Sequence, residues 1–239
     1  MQGKKLVVYS GGSDSFTVLH KVMDSGMEPV AISFAYGQRH SKELMFARAE
    51  CAKWGIEHKV IDISFLGAMM EGVSALTTES EPVPEGHYEA ENMKRTVVPN
   101  RNMVLLSIAG AFALSKGITV MAYGAHQGDH AIYPDCRPAF VSAMQFAFAE
   151  CDWSPLILEV PFLHEDKRGI YTWGVAHGLD YARAWTCYNG RERACGRCGS
   201  CIERLMAFDD IGVVDPLVYE DRNAWRLLAN ANPMERADD

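Results

Sequence analysis

Apolar runs and helical stretches alternate from the N-terminus onward. Leu6-Val7-Val8-Tyr9 is a short apolar run that stops at Ser10-Gly11-Gly12, which reads as a strand and a turn. A 3.6-residue period follows, with Phe16, Leu19 and Met23 inward and Gly26 as the stop. Val30-Ala31-Ile32-Ser33-Phe34 is the next strand, and Ser41 to Trp54 a helix ended by Gly55. Glu57 to Ile63 gives a third strand. Residues 64 to 98 carry no clear period, and Gly, Pro, Glu and Ser crowd the span from Thr77 to His87. An exposed, mobile loop is expected there. Asn102 to Lys116 is an apolar, alanine-rich helix. Thr119 to Tyr123 is a strand, Arg137 to Cys151 a helix with Pro138 in its first turn, Leu156 to Val160 a strand, and Asp166 to His177 a helix closed by Gly178.

Strands alternating with helices predict an α/β fold: a Rossmann-like parallel sheet with helices on both faces. Ligands in such sheets bind at the carboxyl ends of the strands. That places the loops after Tyr9, Phe34 and Tyr123 on one rim. We divide the chain into an α/β unit over residues 1–180 and a C-terminal cysteine segment with its tail over 181–239.

Charge and composition narrow the function. With 23 basic and 31 acidic residues the formal net charge is −8 and the pI about 5.5, so an overall basic footprint for nucleic acid is absent. Only Arg191, Arg193 and Arg197 form a local basic group. No apolar run reaches the length of a membrane span, and the four apolar residues after Lys5 are too few for a signal-peptide core, so a cytoplasmic protein is expected. Of seven cysteines, Cys51, Cys136 and Cys151 are scattered. Cys51 and Cys151 are read as buried small hydrophobes, Trp153, Trp173 and Trp185 as core or interface residues, and His20 as structural.

Five strings carry candidate chemistry. Ser10-Gly11-Gly12-Ser13-Asp14-Ser15 joins a strand to a helix start, where glycines admit an anion close to the backbone and free N–H groups favour it. Asp14 would repel phosphate without a cation between them, which suggests magnesium. Gln38-Arg39-His40 crowds the predicted rim. It reads equally as a solvated helix start. Arg101, in Val98-Pro99-Asn100-Arg101-Asn102, and Arg137, in Tyr133-Pro134-Asp135-Cys136-Arg137-Pro138, are cations at helix starts, where the dipole disfavours them. Each therefore points to an anionic partner. Asp135 is placed to cap the helix that follows it. Lastly, Cys187, Cys195, Cys198 and Cys201, spaced x7, x2 and x2, suit a closed four-thiolate zinc site.

The first string resembles the PP-loop ATP pyrophosphatase superfamily. The five together, spanning about residues 4 to 210, resemble the 7-cyano-7-deazaguanine synthase family of queuosine precursor synthesis. The chain departs from that family's usual pattern at Phe16 (Ser or Thr), Asn100 (Gly) and Ala139 (Glu). It also carries extra histidines at His126 and His130 and lacks a histidine before Cys195. The resemblance implies an ATP-dependent ligase. ATP with Mg²⁺ activates the carboxylate of 7-carboxy-7-deazaguanine, ammonia gives the amide, and a second activation leaves the nitrile. In that reading Ser10 to Ser15 hold the nucleotide. Asp14, Arg101 and Arg137 act in catalysis, and Gln38, Arg39, His40 and Asp135 meet the substrate. A structural zinc sits on the four cysteines, no nucleic acid or membrane takes part, and the chain pairs as a homodimer. The alternative is a PP-loop tRNA-thiolating enzyme whose cysteines hold an iron–sulfur cluster.

Overall fold

The structure is a computed structural model that describes residues 3–78 and 80–229. Five strands form one parallel sheet: β1 (Lys4–Val8), β2 (Glu28–Ala35), β3 (Glu57–Asp62), β4 (Val120–Ala122) and β5 (Ile157–Glu159), in the order β3-β2-β1-β4-β5. The helices between and after them are α1 (Ser13–Asp24), α2 (Lys42–Trp54), α3 (Phe65–Met69), α4 (Arg101–Ser115), α5 (Pro138–Ala149), α6 (Lys167–Ala176), α7 (Gly199–Asp210) and α8 (Ala224–Ala229). Strand order reverses between β1 and β4, so their carboxyl ends flank the crevice where doubly wound sheets take ligands.

Register assigns side chains to two cores. Leu6 pairs with Val30 and Met121, and Val7 with Ala31 and Ala122. Because strand side chains alternate, Leu6, Val30, Ile32, Phe34 and Met121 face one side, against Leu106 and Ala109 of α4 and Val141, Met144 and Phe148 of α5. Val7, Ala31 and Ala122 face the other, against Phe16, Leu19 and Val22 of α1, Ala47 and Cys51 of α2 and Tyr171 of α6. Covering both faces explains why β1 and β2 read as nearly unbroken apolar runs. Full burial of Leu6 or Val7 contributes about 1.5–3 kcal/mol each. Among the described residues no helix is long and apolar enough to cross a membrane.

The segment beyond residue 180 is built onto this frame. Tyr181, Ala184, Ala207 and Phe208 belong to the second core. A third core gathers Trp185, the four clustered cysteines, Leu205, Leu217 and Tyr219. Between the cores lies Arg204, fully buried and paired with Asp215 through two 2.8 Å contacts.

Several expectations need correction. The loop expected from Thr77 to His87 is a loop but not a wholly exposed one, since Thr78, Val83 and Pro84 are buried; on either side of it lie α3 and a 3-10 helix at Glu91–Thr96, with Leu76, Tyr88, Met93 and Thr96 buried. The span lacks a period because it packs as an irregular cover over the crevice rather than as an amphipathic element. Val22, not Met23, completes the inward face of α1. Cys151 is exposed, and Trp153 is fully exposed rather than a core residue. Asp135 does not cap the helix after it: its Oδ2 accepts the Asn102 N–H at 3.0 Å, at the start of α4. His20 is structural, its Nε2 donating to the Glu50 carboxylate at 2.9 Å.

Asn100 is the one non-glycine among the described residues with positive φ, at φ 58° and ψ 14°. A left-handed residue there turns the chain into α4, which explains why glycine suits this position and why asparagine is the next best choice. Asn100 is exposed, so its replacement tests backbone conformation alone. Asn100→Gly should leave thermal stability within about 1 °C of the wild type, whereas Asn100→Ala should cost about 1 kcal/mol, lowering Tm by about 2–4 °C. Equal melting of the two variants would contradict this account.

Candidate active site

The crevice between β1 and β4 opens into a cavity with an empty volume of about 1120 Å³, its open mouth included. One wall is the loop after β1. Gly11 has φ 92°, and a methyl group there would stand 2.1 Å from the Glu43 carbonyl oxygen, so only glycine lets α2 pass this close. Ser10 and Ser15 brace the loop. Ser15 Oγ accepts the Ser10 N–H at 3.2 Å and donates to the Gly12 carbonyl at 3.1 Å, and Ser10 Oγ accepts the Gly12 N–H at 3.0 Å. Ser13 is buried and its Oγ accepts the Tyr171 hydroxyl at 2.9 Å. The first-turn amides of α1 therefore face the cavity from a rigid loop, an arrangement that suits a polyphosphate.

Asp14 sits at that helix start, and its cation is a side chain that the pattern of the chain did not single out. Lys167 Nζ donates to both Asp14 oxygens at 2.7 and 2.8 Å and lies 3.2 Å from Glu203. Burial alone would raise the Asp14 carboxyl, but Lys167 and His126 more than offset it and hold it below the usual range. Lys167 is in turn buried and held protonated by Asp14 and Glu203 against the opposing effect of burial. Lys167 opens α6, after its N-cap Asp166. It is a cation at a helix start, the same signal that marks Arg101, and could have been found that way. Glu203 comes from α7, two residues after Cys201. Burial raises its carboxyl, although Lys167 and His126 oppose the shift.

Glu43, in the first turn of α2, faces the loop from the other side and also escaped the sequence reading. Burial is the largest influence on it and pushes its carboxyl up to about 8, despite Arg101 and a hydrogen bond with Ser10. His40 is buried beside it. Burial and the Arg101 charge push its imidazole down to about 3, so the ring is neutral. Its Nδ1 has no hydrogen-bond partner, which leaves it available to a ligand.

The far half of the cavity is aromatic. Tyr36, Tyr88, Tyr133 and Tyr188 line it, with Arg101 6.0 Å from the rings of both Tyr36 and Tyr133. A flat heterocycle with an anionic substituent matches these walls: rings for its faces, a guanidinium for its charge. Gln38 also lines the cavity, though its amide is engaged by the Tyr36 N–H and the Phe34 carbonyl. Arg39 and Arg137 are not among the lining residues. Arg39 donates to the carbonyls of Ala75, Thr78 and Glu81 and ties down the irregular cover. Arg137 is exposed, with its Nε on the His130 carbonyl at 2.7 Å. Asp135 stays outside as well, holding Asn102.

Behind the tyrosines, the sulfurs of Cys187, Cys195, Cys198 and Cys201 all lie within 4.8 Å of one another and are buried. Cys195 Sγ accepts backbone N–H groups from Arg197 at 3.4 Å and Cys198 at 3.3 Å, and Cys187 Sγ accepts from Cys195 N–H at 3.4 Å. Such donors stabilise thiolates, so the four residues fit a bound metal. The same segment sends Trp185, Thr186 and Tyr188 to the cavity wall.

Residues 4–212 match the family model described as "Queuosine biosynthesis protein QueC". The chain is 54% identical over 221 residues to a 7-cyano-7-deazaguanine synthase of Psychromonas ingrahamii, covering 92% of this chain and 100% of that one. A protein of the same name from Methanoregula boonei is 52% identical over 217 residues, 91% of this chain and 99% of the other. Among solved structures, the U34-tRNA thiolase NcsA from Methanococcus maripaludis with its [4Fe-4S] cluster matches with a TM-score of 0.46 at 14% identity, covering 87% and 65% of the two chains. The NH3-dependent NAD synthetase from Campylobacter jejuni matches at 0.44 and 14%, covering 88% and 75%. Matched along nearly its whole length by that family's model and by relatives more than half identical, the chain belongs to the QueC family of queuosine biosynthesis proteins.

Proposed function

We propose that the protein makes 7-cyano-7-deazaguanine from 7-carboxy-7-deazaguanine, ammonia and ATP in two activations of one carbon. Its relatives carry that synthase name. The observation that supports the reading for this chain is one cavity lined both by the Ser10–Ser15 loop and by tyrosines that flank Arg101. ATP phosphates rest on Ser10 to Ser15. The deazaguanine ring lies among the tyrosines with its carboxylate toward Arg101, which puts a carboxylate oxygen and a phosphoryl group side by side. Glu43 meets the phosphates uncharged at neutral pH, so it donates a hydrogen bond where a carboxylate would repel. Neutral His40 offers its Nδ1 to the heterocycle.

Asp14 works as a pair with Lys167, whose ammonium stabilises charge developing on the transferred group. The Mg²⁺ carried with ATP would neutralise further phosphate charge beside Asp14. Arg39, Arg137 and Asp135 act by fixing the backbone around the cavity. After the first activation, ammonia forms the amide. The amide oxygen then takes the place of the carboxylate oxygen in the same slot, and its loss leaves the nitrile.

Zinc is our assignment for the four cysteines. A tetrahedron with Zn–S near 2.3 Å has sulfurs about 3.8 Å apart, close to the 3.9 Å between Cys195 and Cys201, whereas a cubane cluster spreads its thiolates much wider. This spacing and the family membership favour the synthase over a thiolating enzyme. With four thiolates the metal would be closed to substrate and would fix the wall carrying Trp185 and Tyr188. Reduced cysteines and small-molecule substrates agree with a cytoplasmic protein. Arg191 and Arg197 are engaged by Glu220 and Asp221, which with the net charge of −8 speaks against nucleic acid as substrate. A homodimer remains part of the proposal, with exposed Phe146, Trp153 and Ile157 near edge strand β5 as candidate contacts.

Purified protein given the carboxylic acid, ATP, Mg²⁺ and ¹⁵N-ammonium should form the ¹⁵N-nitrile by mass spectrometry. Asp14→Asn should lose at least about a hundredfold in turnover with little change in Tm. No nitrile from the wild type, or full activity in the variant, would overturn these assignments. Metal analysis of anaerobically purified protein should give one zinc per chain. Cys195→Ser should lose the metal and melt lower, and iron with sulfide in the wild type would return the thiolating reading to first place.

A further inference from the structure

Four tyrosine hydroxyls on the cavity wall have their hydrogens committed inside the protein. Tyr88 donates to Asp129 at 2.8 Å, and Tyr123 to the Asp135 carbonyl at 3.0 Å. The other two are ordered in series. Thr96 Oγ1 lies 2.6 Å from the Met93 carbonyl, and a carbonyl can only accept, so the single Thr96 hydroxyl hydrogen goes there. Thr96 Oγ1 must then accept from the Tyr133 hydroxyl, 2.6 Å away. Tyr133, its own hydrogen used, accepts in turn from the Tyr188 hydroxyl at 3.2 Å. Tyr88, Tyr123, Tyr133 and Tyr188 all line the cavity, whereas Thr96 is fully buried and does not.

A phenol oxygen whose hydrogen is committed offers a ligand only its lone pairs. These four hydroxyls therefore meet a ligand as acceptors. A heterocycle edge made of bare ring nitrogens would set lone pair against lone pair, while an edge carrying N–H groups completes the wall. His40 adds one more polar position. Its ring, also on the cavity wall, is buried with its centre 5.8 Å from that of Tyr188, and its Nδ1 has no partner. Buried polar atoms are normally satisfied, so this nitrogen marks a place where a ligand completes the network.

We propose that Thr96, acting through Tyr133 and Tyr188, sets the specificity of the site by holding this wall in an acceptor state that selects heterocycles bearing an exocyclic amino group and ring N–H donors. The inference rests on the proposed reaction for the identity of the heterocycle, the deazaguanine acid. Thr96 touches no ligand and is a positioning residue. Without its hydroxyl the Tyr133 hydrogen is free to turn into the cavity, where it meets the amino group donor to donor. The Ser10–Ser15 loop and Arg101 make no hydrogen bond with this series, so ATP binding stays as it was.

The test compares the deazaguanine acid with the same acid lacking its exocyclic amino group, each bound without ATP and measured by calorimetry. Wild-type protein should prefer the amino-bearing acid at least about tenfold, the effect of leaving buried acceptors unpaired. Thr96→Val should bind that acid about tenfold more weakly and narrow the preference to less than about threefold, with the KM for ATP unchanged. Thr96→Ser, which keeps the hydroxyl, should behave as the wild type. Tyr133→Phe keeps the ring but removes an acceptor from the wall, so it should narrow the preference as well, and it carries the test if Thr96→Val folds poorly. Equal wild-type affinity for the two acids, or an unchanged preference in the Val and Phe variants, would overturn the assignment. So would a Thr96→Ser variant as impaired as Thr96→Val, which would make packing and not the hydroxyl responsible. Wild-type protein that shows the preference yet forms no nitrile with ATP and ammonium would uphold the assignment and overturn the proposed reaction, and failure to bind the acid at all would overturn both.

Discussion

Arg204 has all five of its N–H donors bonded inside the protein. Its Nε and one Nη2 hydrogen go to Asp215, the other Nη2 hydrogen to the Tyr181 carbonyl, and Nη1 to the Ala184 carbonyl and Thr186 hydroxyl. Asp215 is equally committed, accepting also from Tyr219 at 2.5 Å and from the Leu217 N–H at 3.0 Å. Breaking a buried pair by removing one partner costs about 3–5 kcal/mol, because the other charge is left in a dry interior. This guanidinium therefore fixes three stretches of chain at once: the turn at residues 181–186, helix α7, and the loop carrying Tyr219. Most of what the C-terminal segment brings to the cavity hangs from it: Trp185 and Thr186 lie on the first stretch, and Ser200 and Glu203 on the second.

The consequence is a site made by two parts of the chain that are far apart in sequence. The sheet supplies the Ser10–Ser15 loop and α2 with Glu43. The C-terminal segment supplies Glu203, Trp185 and Tyr188, and the backbone joins them where the Trp185 N–H donates to the Gly11 carbonyl at 3.0 Å. Charges inside the cavity come in compensated sets. Asp14 is offset by Lys167 buried against it, and burial raises the Glu43 carboxyl to about 8. Arg101 packs against Tyr36 and Tyr133 and forms no salt bridge among the described residues.

The sheet, its crossovers and the turn from β1 into α1 were legible because each rests on local pattern: apolar runs of strand length, helical periods with glycine stops, and a serine–glycine string between them. The cysteine cluster was legible from spacing alone. What escaped depends on distance along the chain. Lys167 and Glu203 meet Asp14 only through the fold, 153 and 189 positions away, and nothing around either residue announces that meeting. Glu43 lies just past a segment that reads equally as a solvated helix start, and it comes to the cavity only because α2 passes close over Gly11. The dipole argument selected Arg101 and Arg137 alike, yet only Arg101 lines the cavity, since helix α5 begins at the surface and α4 at the crevice. The cover over residues 64–98 failed the periodicity test for the opposite reason. It is held by Arg39 reaching carbonyls and by scattered buried side chains, and neither has a period.

At the centre of this account is a single phosphate loop that activates the same carbon twice. Oxygen tracing tests it most directly. With both carboxylate oxygens of the acid labelled with ¹⁸O, each nitrile formed should release both labels, one on each of two phosphoryl products from two molecules of ATP. Label released into water, or one labelled phosphoryl product per nitrile, would contradict it.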